Sequence, residues 1–410
     1  MPSTSQSSSP IVRPYQREDI EFLKRFPAMA CFNEQRTGKT PIAIRTMVEK
    51  GLDKVLITCP ASAVYPWAAE YTRWSGYPTL TLDSRMSAAK RDELVQSWEH
   101  GALITSYGIM KSKTHDILMA TNIEGHILDE AHRIKERTTL NAKAAFALGS
   151  KIKHRLALTG TPAPGKPEEV WSILHWLYPT KFKSYWNFID EYFITALRQN
   201  STGQRFKDVV GMNPKRSAEL IALLAQCSTQ RKRRDVMEWV PEKDRQRVVL
   251  PPTPAQLKYL QELADYFETE NIITQGVLDR LIRYRQICLH PQLLNLRGSS
   301  PKLDWIDDYL EDYPNRPTLL FSKFTSFLKI LSEHLETPHA MIIGETSTKA
   351  RAEAVADFQS GKLNLLLINI DAGKEALTLD RAEAAIFTDK YPPIGDIEQA
   401  EDRAIATTEA

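Results

Sequence analysis

The chain has 410 residues, 42% hydrophobic and 25% charged, with a formal net charge of +2 at pH 7. That length holds two or more domains with ample core, and the near-neutral balance excludes a global field as a source of nucleic-acid binding, leaving only a local surface. No apolar run approaches a membrane span, and four scattered cysteines (Cys31, Cys59, Cys227, Cys288) without a C-x-x-C read as reduced thiols of a cytoplasmic protein.

The opening M-P-S-T-S-Q-S-S-S-P lacks a basic start and an apolar core. Residues 1–10 are therefore expected to be a disordered tail, not a secretion signal. Val12–Leu23 follows and leads toward a polar loop. It reads either as an ordinary amphipathic helix start or as a segment placing Tyr15 to stack on a base and Gln16 to read its edge.

Ala28–Phe32 is a short apolar run, the loop after it ends in Gly38-Lys39-Thr40, and a helical pattern follows at Ile42, Ile44, Met47 and Val48. Strand, phosphate loop and helix is the resulting order. Backbone N–H groups at the positive end of a helix cradle phosphates, a Lys at this spacing reaches the β/γ-phosphates, and the Thr hydroxyl ligates Mg²⁺. The full pattern has Gly five residues before Gly38, where this chain has Asn33.

From Lys54 strands and helices alternate. Strands are expected at Val55–Cys59, Thr79–Leu82, Ala102–Tyr107, Ile127–Asp129 and Lys153–Thr159, with helices at Tyr65–Trp74 and Ala88–Trp98. This pitch argues for an α/β fold with a doubly wound parallel sheet. Ile127-Leu128 ends in Asp129-Glu130-Ala131-His132. An acid at a strand end holds the Mg²⁺ of Mg-ATP, and a second beside it polarises the attacking water. Gly38, Asp129 and Thr159 all fall at strand carboxyl ends, where such sheets bind ligands. The reading is a nucleoside-triphosphate hydrolase.

Between about Pro167 and Arg247 the alternation stops. Trp171, Trp176, Phe182, Tyr185, Trp186, Phe188, Tyr192 and Phe193 form aromatic stripes expected to pack helices, and a helix at Ala218–Cys227 leads into Arg231-Lys232-Arg233-Arg234. That basic run is either a solvated face or a set of phosphate contacts. A helical stretch, Pro254–Leu294, precedes a second alternating unit from Lys302, with strands at Thr318–Phe321, Met341–Ile343, Asn364–Ile370 and Ala384–Thr388 and no G-K-T of its own.

The motifs in order resemble a superfamily 2 helicase of the Swi/Snf-type DNA-dependent ATPase family, over nearly the whole chain from Val12 to Arg403. The matching stretches are Arg13-Pro14-Tyr15-Gln16, the loop Asn33–Thr40 with Arg36 at a usual glycine, Cys59-Pro60-x-Ser62 with Trp67 and Glu70, D-E-A-H-R-I-K at Asp129–Lys135, and L-T-G-T-P at Leu158–Pro162. Further on they are Arg233-Arg234-x-Val236, Arg285–Pro291, Leu320–Phe324, Ala372-Gly373 and Gln399-Ala400-Glu401-Asp402-Arg403. In the last two, Lys374 and Ala376 replace glycines and Ala406 replaces an arginine.

The resemblance implies two RecA-like parallel-sheet lobes with ATP in the cleft and helical insertions between them. The expected limits are 11–166 for the first lobe, 167–247 for a helical insertion packed on it, 248–300 for a helical linker, and 301–410 for the second lobe. It implies ATP and Mg²⁺ as cofactors, with Tyr15, Gln16, Arg36, Thr37, Gly38, Lys39, Thr40 and Gly373 around the nucleotide, and Thr40 and Asp129 on the metal. Glu130 would activate water and Arg403 would approach the γ-phosphate. Ser62, His132, Thr159, Gly160, Thr161, Arg233, Arg234, Ser322 and Lys323 would carry DNA contacts or couple them to ATP. The arginine replaced by Ala406 normally stabilises charge on the transferring phosphate. Either Arg403 suffices, another group substitutes, or the chain is a weak or truncated ATPase. The expectation is a monomeric motor from a bacterium or virus that translocates on, anneals or remodels DNA with little sequence preference. The alternatives are a DNA-binding scaffold that hydrolyses weakly and an RNA helicase of the same superfamily.

Overall fold

The computed structural model describes residues 11–163, 166–200, 203–237, 244–269, 276–372 and 379–389. The tail 1–10, Gly373 and Arg403 lie outside the described residues. The chain divides into two compact units, Met1–Glu238 and Trp239–Ala410.

The first unit begins with helix α1 (Pro14–Leu23), strand β1 (Ala28–Cys31), α2 (Lys39–Glu49) and β2 (Lys54–Cys59), followed by a short turn at Ala61–Ala63. Then come α3 (Val64–Ser75), β3 (Thr79–Thr81), α4 (Ala88–Gln96), β4 (Gly101–Ser106), α5 (Tyr107–Met110), α6 (Thr114–Ala120), β5 (Gly125–Asp129), α7 (Leu140–Lys151) and β6 (His154–Leu158). β1 and β4 are buried along their whole length, and β2 is buried after Lys54. Such continuous apolar runs mark strands covered on both faces. The pairs are parallel, in the order β3-β4-β2-β5-β6-β1 with one more strand beyond β1. One core, with Leu56, Leu103, Leu128 and Trp98, lies on one face, and another, with Ile42, Ile44, Ile57 and Tyr71, on the other.

After β6 run α8 (Val170–Leu177), α9 (Tyr185–Tyr192), the strands β7 (Phe193–Gln199) and β8 (Arg205–Met212), α10 (Ser217–Cys227), β9 (Ser228–Thr229) and α11 (Arg233–Val236). Most of the aromatic side chains pack as expected, with Trp171, Phe182, Phe188, Tyr192 and Phe193 in one cluster, while Trp186 is exposed. The segment is not wholly helical, however. β7 and β8 form an antiparallel hairpin, and β9 returns to the main sheet beside β1, pairing Ala30 with Ser228 and Cys31 with Thr229.

The second unit holds α12 (Pro254–Thr269), α13 (Gly276–Leu289), α14 (Pro301–Asp312), β10 (Thr318–Ser322), α15 (Thr325–His334), β11 (His339–Ile342), α16 (Thr348–Gln359), β12 (Leu365–Asn369) and β13 (Ala384–Phe387). Its strands are parallel in the order β11-β12-β10-β13, with apolar clusters around Leu320 and Phe327 and around Phe321 and Phe358. Two parallel-sheet units match the expected α/β architecture. Among the described residues no helix is long and apolar enough to cross a membrane.

Candidate active site

The sheet brings the carboxyl ends of β5, β6 and β1 side by side, and Asp129, Thr159 and the loop ending in Gly38 stand at those ends. The loop turns into α2 through Gly38, whose φ of +75° suits glycine. A Cβ there would come within 2.2 Å of Gln16 Nε2. Arg36 takes a φ of 62° without being glycine, a conformation that costs roughly 1–2 kcal/mol for a side chain with Cβ. Lys39 Nζ donates to the carbonyls of Asn33 and Glu34, both at 3.0 Å, so the ammonium lies folded over the loop. The Thr37 hydroxyl donates to the Glu34 carbonyl at 2.7 Å, and Thr40, the second residue of α2, is partly exposed.

Tyr15 and Gln16 clamp this loop from α1. Tyr15 is buried and its hydroxyl donates to the Thr37 carbonyl at 2.9 Å. The Gln16 amide oxygen accepts the Arg13 N–H at 3.0 Å, leaving Nε2 against the loop. With its ring buried and its hydroxyl on the Thr37 carbonyl, Tyr15 braces the loop.

β5 delivers Asp129 to the sheet edge. Its Oδ1 accepts the Glu130 N–H at 3.0 Å and its Oδ2 accepts the Trp67 indole N–H at 2.8 Å. Glu130 turns the chain at φ 50° and brings Oε2 to 3.2 Å from His132 Nδ1. The same nitrogen is 3.1 Å from Thr159 Oγ1, which accepts the Thr161 N–H at 3.1 Å. One polar chain thus joins Glu130, His132, Thr159 and Thr161. Gly160 lies in the same turn, 3.4 Å from Gln35 N at its Cβ position.

Burial, and then the neighbouring Glu130 carboxylate, pushes the Asp129 carboxyl above its ordinary value. Burial also acts to raise Glu130, but the His132 hydrogen bond and the charges of His132, Lys39 and Arg133 bring it below its ordinary value. Two adjacent acids, one with its charge poorly compensated, form a site that a divalent cation would relieve. Among the described residues no three His, Cys, Asp or Glu side chains group as a metal cage. A lone carboxylate and a hydroxyl beside a phosphate loop fit magnesium, which is held through one or two protein oxygens together with substrate phosphates and water.

A family model described as the SNF2-related domain matches residues 15–293, and one described as the helicase conserved C-terminal domain matches 301–406. The chain belongs to the SNF2-related family. A mouse relative, "DNA annealing helicase and endonuclease ZRANB3", is 26% identical over 413 residues, covering 95% of this chain and 37% of its own. A Xenopus laevis relative, "SWI/SNF-related matrix-associated actin-dependent regulator of chromatin subfamily A-like protein 1", is 26% identical over 399 residues, covering 95% of this chain and 40% of its own. The chain thus spans well under half the length of these curated relatives. Among solved structures, the "Sulfolobus solfataricus SWI2/SNF2 ATPase core in complex with dsDNA" aligns at 22% identity with a TM-score of 0.46, covering 96% of this chain and 85% of that one.

In this SNF2-related chain the remaining expected residues are dispersed. Ser62 is exposed on the turn after β2, and Arg234 is exposed beside Asp235. The Arg233 N–H donates to Glu34 Oε2 at 2.7 Å, next to the phosphate loop. In the second unit the Ser322 side chain is buried, its hydroxyl donating to Asp389 Oδ1 at 3.4 Å. It offers no exposed hydroxyl to a nucleic acid and instead steadies the turn that carries Lys323, whose ammonium pairs with Asp371. Asn369 Nδ2 grips the same turn through the Lys323 carbonyl at 3.0 Å.

Sequence reasoning missed three partners. Trp67, grouped there with a nucleic-acid segment, is 3% exposed and bonded to Asp129. Asp19 is buried between Asn33 and Arg231, taking hydrogen bonds from Asn33 Nδ2 at 2.7 Å and Arg231 Nε at 2.9 Å. Asp389 pairs with Arg285 at 2.7 Å. A buried acid in an amphipathic helix was the only local signal for Asp19, and the other two partners lie 62 and 104 residues from their mates.

Proposed function

We propose that the chain is a DNA-dependent ATPase that translocates along DNA and remodels or anneals what it meets. The observation that carries this reading is the convergence of Lys39, Thr40, Asp129, Glu130 and Thr159 at three adjacent strand ends of one parallel sheet. Membership of the SNF2-related family and the printed names of the relatives support DNA as the polymer.

In this reading Lys39 leaves the loop carbonyls to meet the β- and γ-phosphates, while loop N–H groups around Gly38 take the remaining oxygens. Thr40 and Asp129 would hold Mg²⁺, which would supply positive charge to offset that of the phosphates. Glu130 orients the attacking water and, ionised, accepts its proton. Because His132 faces both Glu130 and Thr159, a displacement of the Thr159–Thr161 turn alters the partner of the catalytic acid. That gives DNA bound near the turn a route to the rate of hydrolysis. Tyr15 and Gln16 border the base. Ser62, Arg233, Arg234 and Lys323 touch or lie near the DNA backbone. The segment 11–166 serves as the ATP-binding lobe, 167–247 as an insertion on it, 248–300 as a linker and 301–410 as the second lobe of a monomeric cytoplasmic protein.

The test is steady-state ATP hydrolysis without nucleic acid and with single-stranded DNA, duplex, forked DNA and RNA, using Lys39→Ala as the blank. Strong stimulation by DNA is expected. Stimulation by RNA alone would transfer the protein to the RNA helicases. Ala406, in place of an arginine, favours a second reading, a nucleotide-binding DNA scaffold, for which the rate stays at the blank with every polymer.

A further inference from the structure

We infer that Trp67 is a positioning residue for the metal-binding carboxylate, holding Asp129 in the plane in which it receives a divalent cation. The inference rests on the nucleotide-site reading above and goes beyond it in giving a task to a residue outside the loop and the acid pair.

Trp67 sits on α3 with its ring in the apolar layer that also contains Ile57, Cys59, Val64 and Tyr71. Its indole nitrogen is a donor only. The 2.8 Å separation from Asp129 Oδ2 is the length of a charge-assisted hydrogen bond. The indole N–H groups of Trp98, Trp171 and Trp176 are buried with no partner. Burial alone therefore does not supply a buried indole with an acceptor in this chain, and the Trp67 contact is a specific one.

The carboxylate has about four lone-pair sites. One on Oδ1 takes the Glu130 N–H and one on Oδ2 takes Trp67, which leaves one on each oxygen. Both hydrogen bonds together fix rotation about the Cβ–Cγ bond. The Glu130 N–H comes from the adjacent residue and cannot do this alone, because a single-point contact leaves the group free to swing about it. Removing the indole N–H frees Oδ2 to turn toward other donors. Partners that orient a metal ligand in this way typically change metal affinity by about 10- to 100-fold when deleted.

The probe is Mn²⁺, followed by electron paramagnetic resonance in the presence of ADP on the full chain. Trp67→Phe keeps an aromatic ring in the layer and deletes the donor. The expected result is Mn²⁺ affinity at least about tenfold weaker in Trp67→Phe, with metal-free ADP affinity changed less than twofold. Equal Mn²⁺ affinity in the two proteins overturns the inference and leaves the site reading standing. Failure of the unaltered chain to bind Mn²⁺ with ADP overturns the site reading, and the inference with it. If Trp67→Phe does not fold, ¹⁵N-indole spectra decide. One of the eight tryptophan resonances should move both in Asp129→Asn and on adding Mg²⁺ to the ADP complex. No shared resonance overturns the inference.

Discussion

The Arg231 guanidinium donates from Nε to the 1%-exposed carboxylate of Asp19, joining positions 212 residues apart in the chain. Asp19 also accepts from Asn33, whose carbonyl holds Lys39, so the bond lies two contacts from the phosphate loop's ammonium. Arg231→Met leaves the carboxylate buried beside a lone amide donor. The loss is expected to be about 2–4 kcal/mol of first-unit stability, somewhat below a fully buried pair because Arg231 is part-exposed. Urea unfolding should show it, and adding Asp19→Asn should restore part of the loss.

Lys39→Ala and Glu130→Gln should each lower ATP hydrolysis by at least about 100-fold while leaving the thermal midpoint within a few degrees. Neither side chain belongs to the apolar cores. Near-normal turnover in Glu130→Gln would remove Glu130 from the mechanism.

Gly38→Ala combines a strained backbone with a clash, since Gln16 is buried and tethered to the Arg13 N–H. A cost of about 1–3 kcal/mol is expected, with nucleotide affinity at least tenfold weaker by fluorescent ADP titration. Adding Gln16→Ala should return part of the stability and none of the affinity.

His126 is fully buried, with Nε2 3.0 Å from Thr58 Oγ1 and its ring edge-on to Trp176. Burial, and then the Arg155 charge, pushes the imidazole down to about 3. The folded protein keeps it neutral where the unfolded chain protonates below about pH 6.5. Its contribution is therefore intact above that pH and is lost progressively as pH falls toward 3. His126→Gln should lower stability at pH 7 and remove up to about 1.4 kcal/mol per pH unit from the slope between pH 6 and 4. Parallel slopes in urea titrations would exclude this assignment.

DNA affinity should fall by about 100-fold between 50 and 200 mM salt if about four phosphates are neutralised, with little difference between duplex sequences. Fluorescence anisotropy on two unrelated duplexes measures both quantities. A flat salt response would point away from backbone binding.

The parallel sheets and the positions of Gly38, Asp129 and Thr159 were legible because interior parallel strands are unbroken apolar runs and their carboxyl ends carry the polar residues. That β5, β6 and β1 are neighbours was not legible, since adjacency is set by packing between distant segments, Ala28 pairing with Arg155 and Gly125 with His154. The hairpin of β7 and β8 escaped notice for a different reason. Its strands are largely exposed, and Phe193 at its start continues the aromatic spacing of α9, so the period looked helical. β9 contributes only two residues, too few for any period to register. Trp67 shows a further limit. The segment was noticed, but nothing local announces that its indole answers to an aspartate on another strand.

The position of β9 has a consequence for how the protein is made. β1 emerges early from the ribosome, yet the strand that covers its far side arrives roughly 200 residues later, after α10. At 5–20 residues per second that delay is about 10–40 s. Until β6 is made the strand leading to the phosphate loop has neither neighbour, and from then until β9 arrives it is the open edge of an incomplete sheet, with unpaired amides of the kind that recruit other strands. Arg231 and its bond to Asp19 follow directly on β9. Newly made chains therefore acquire the edge closure and the support of the phosphate loop together, and a ribosome stalled before Ser228 would hold an adhesive nascent chain in which neither has formed.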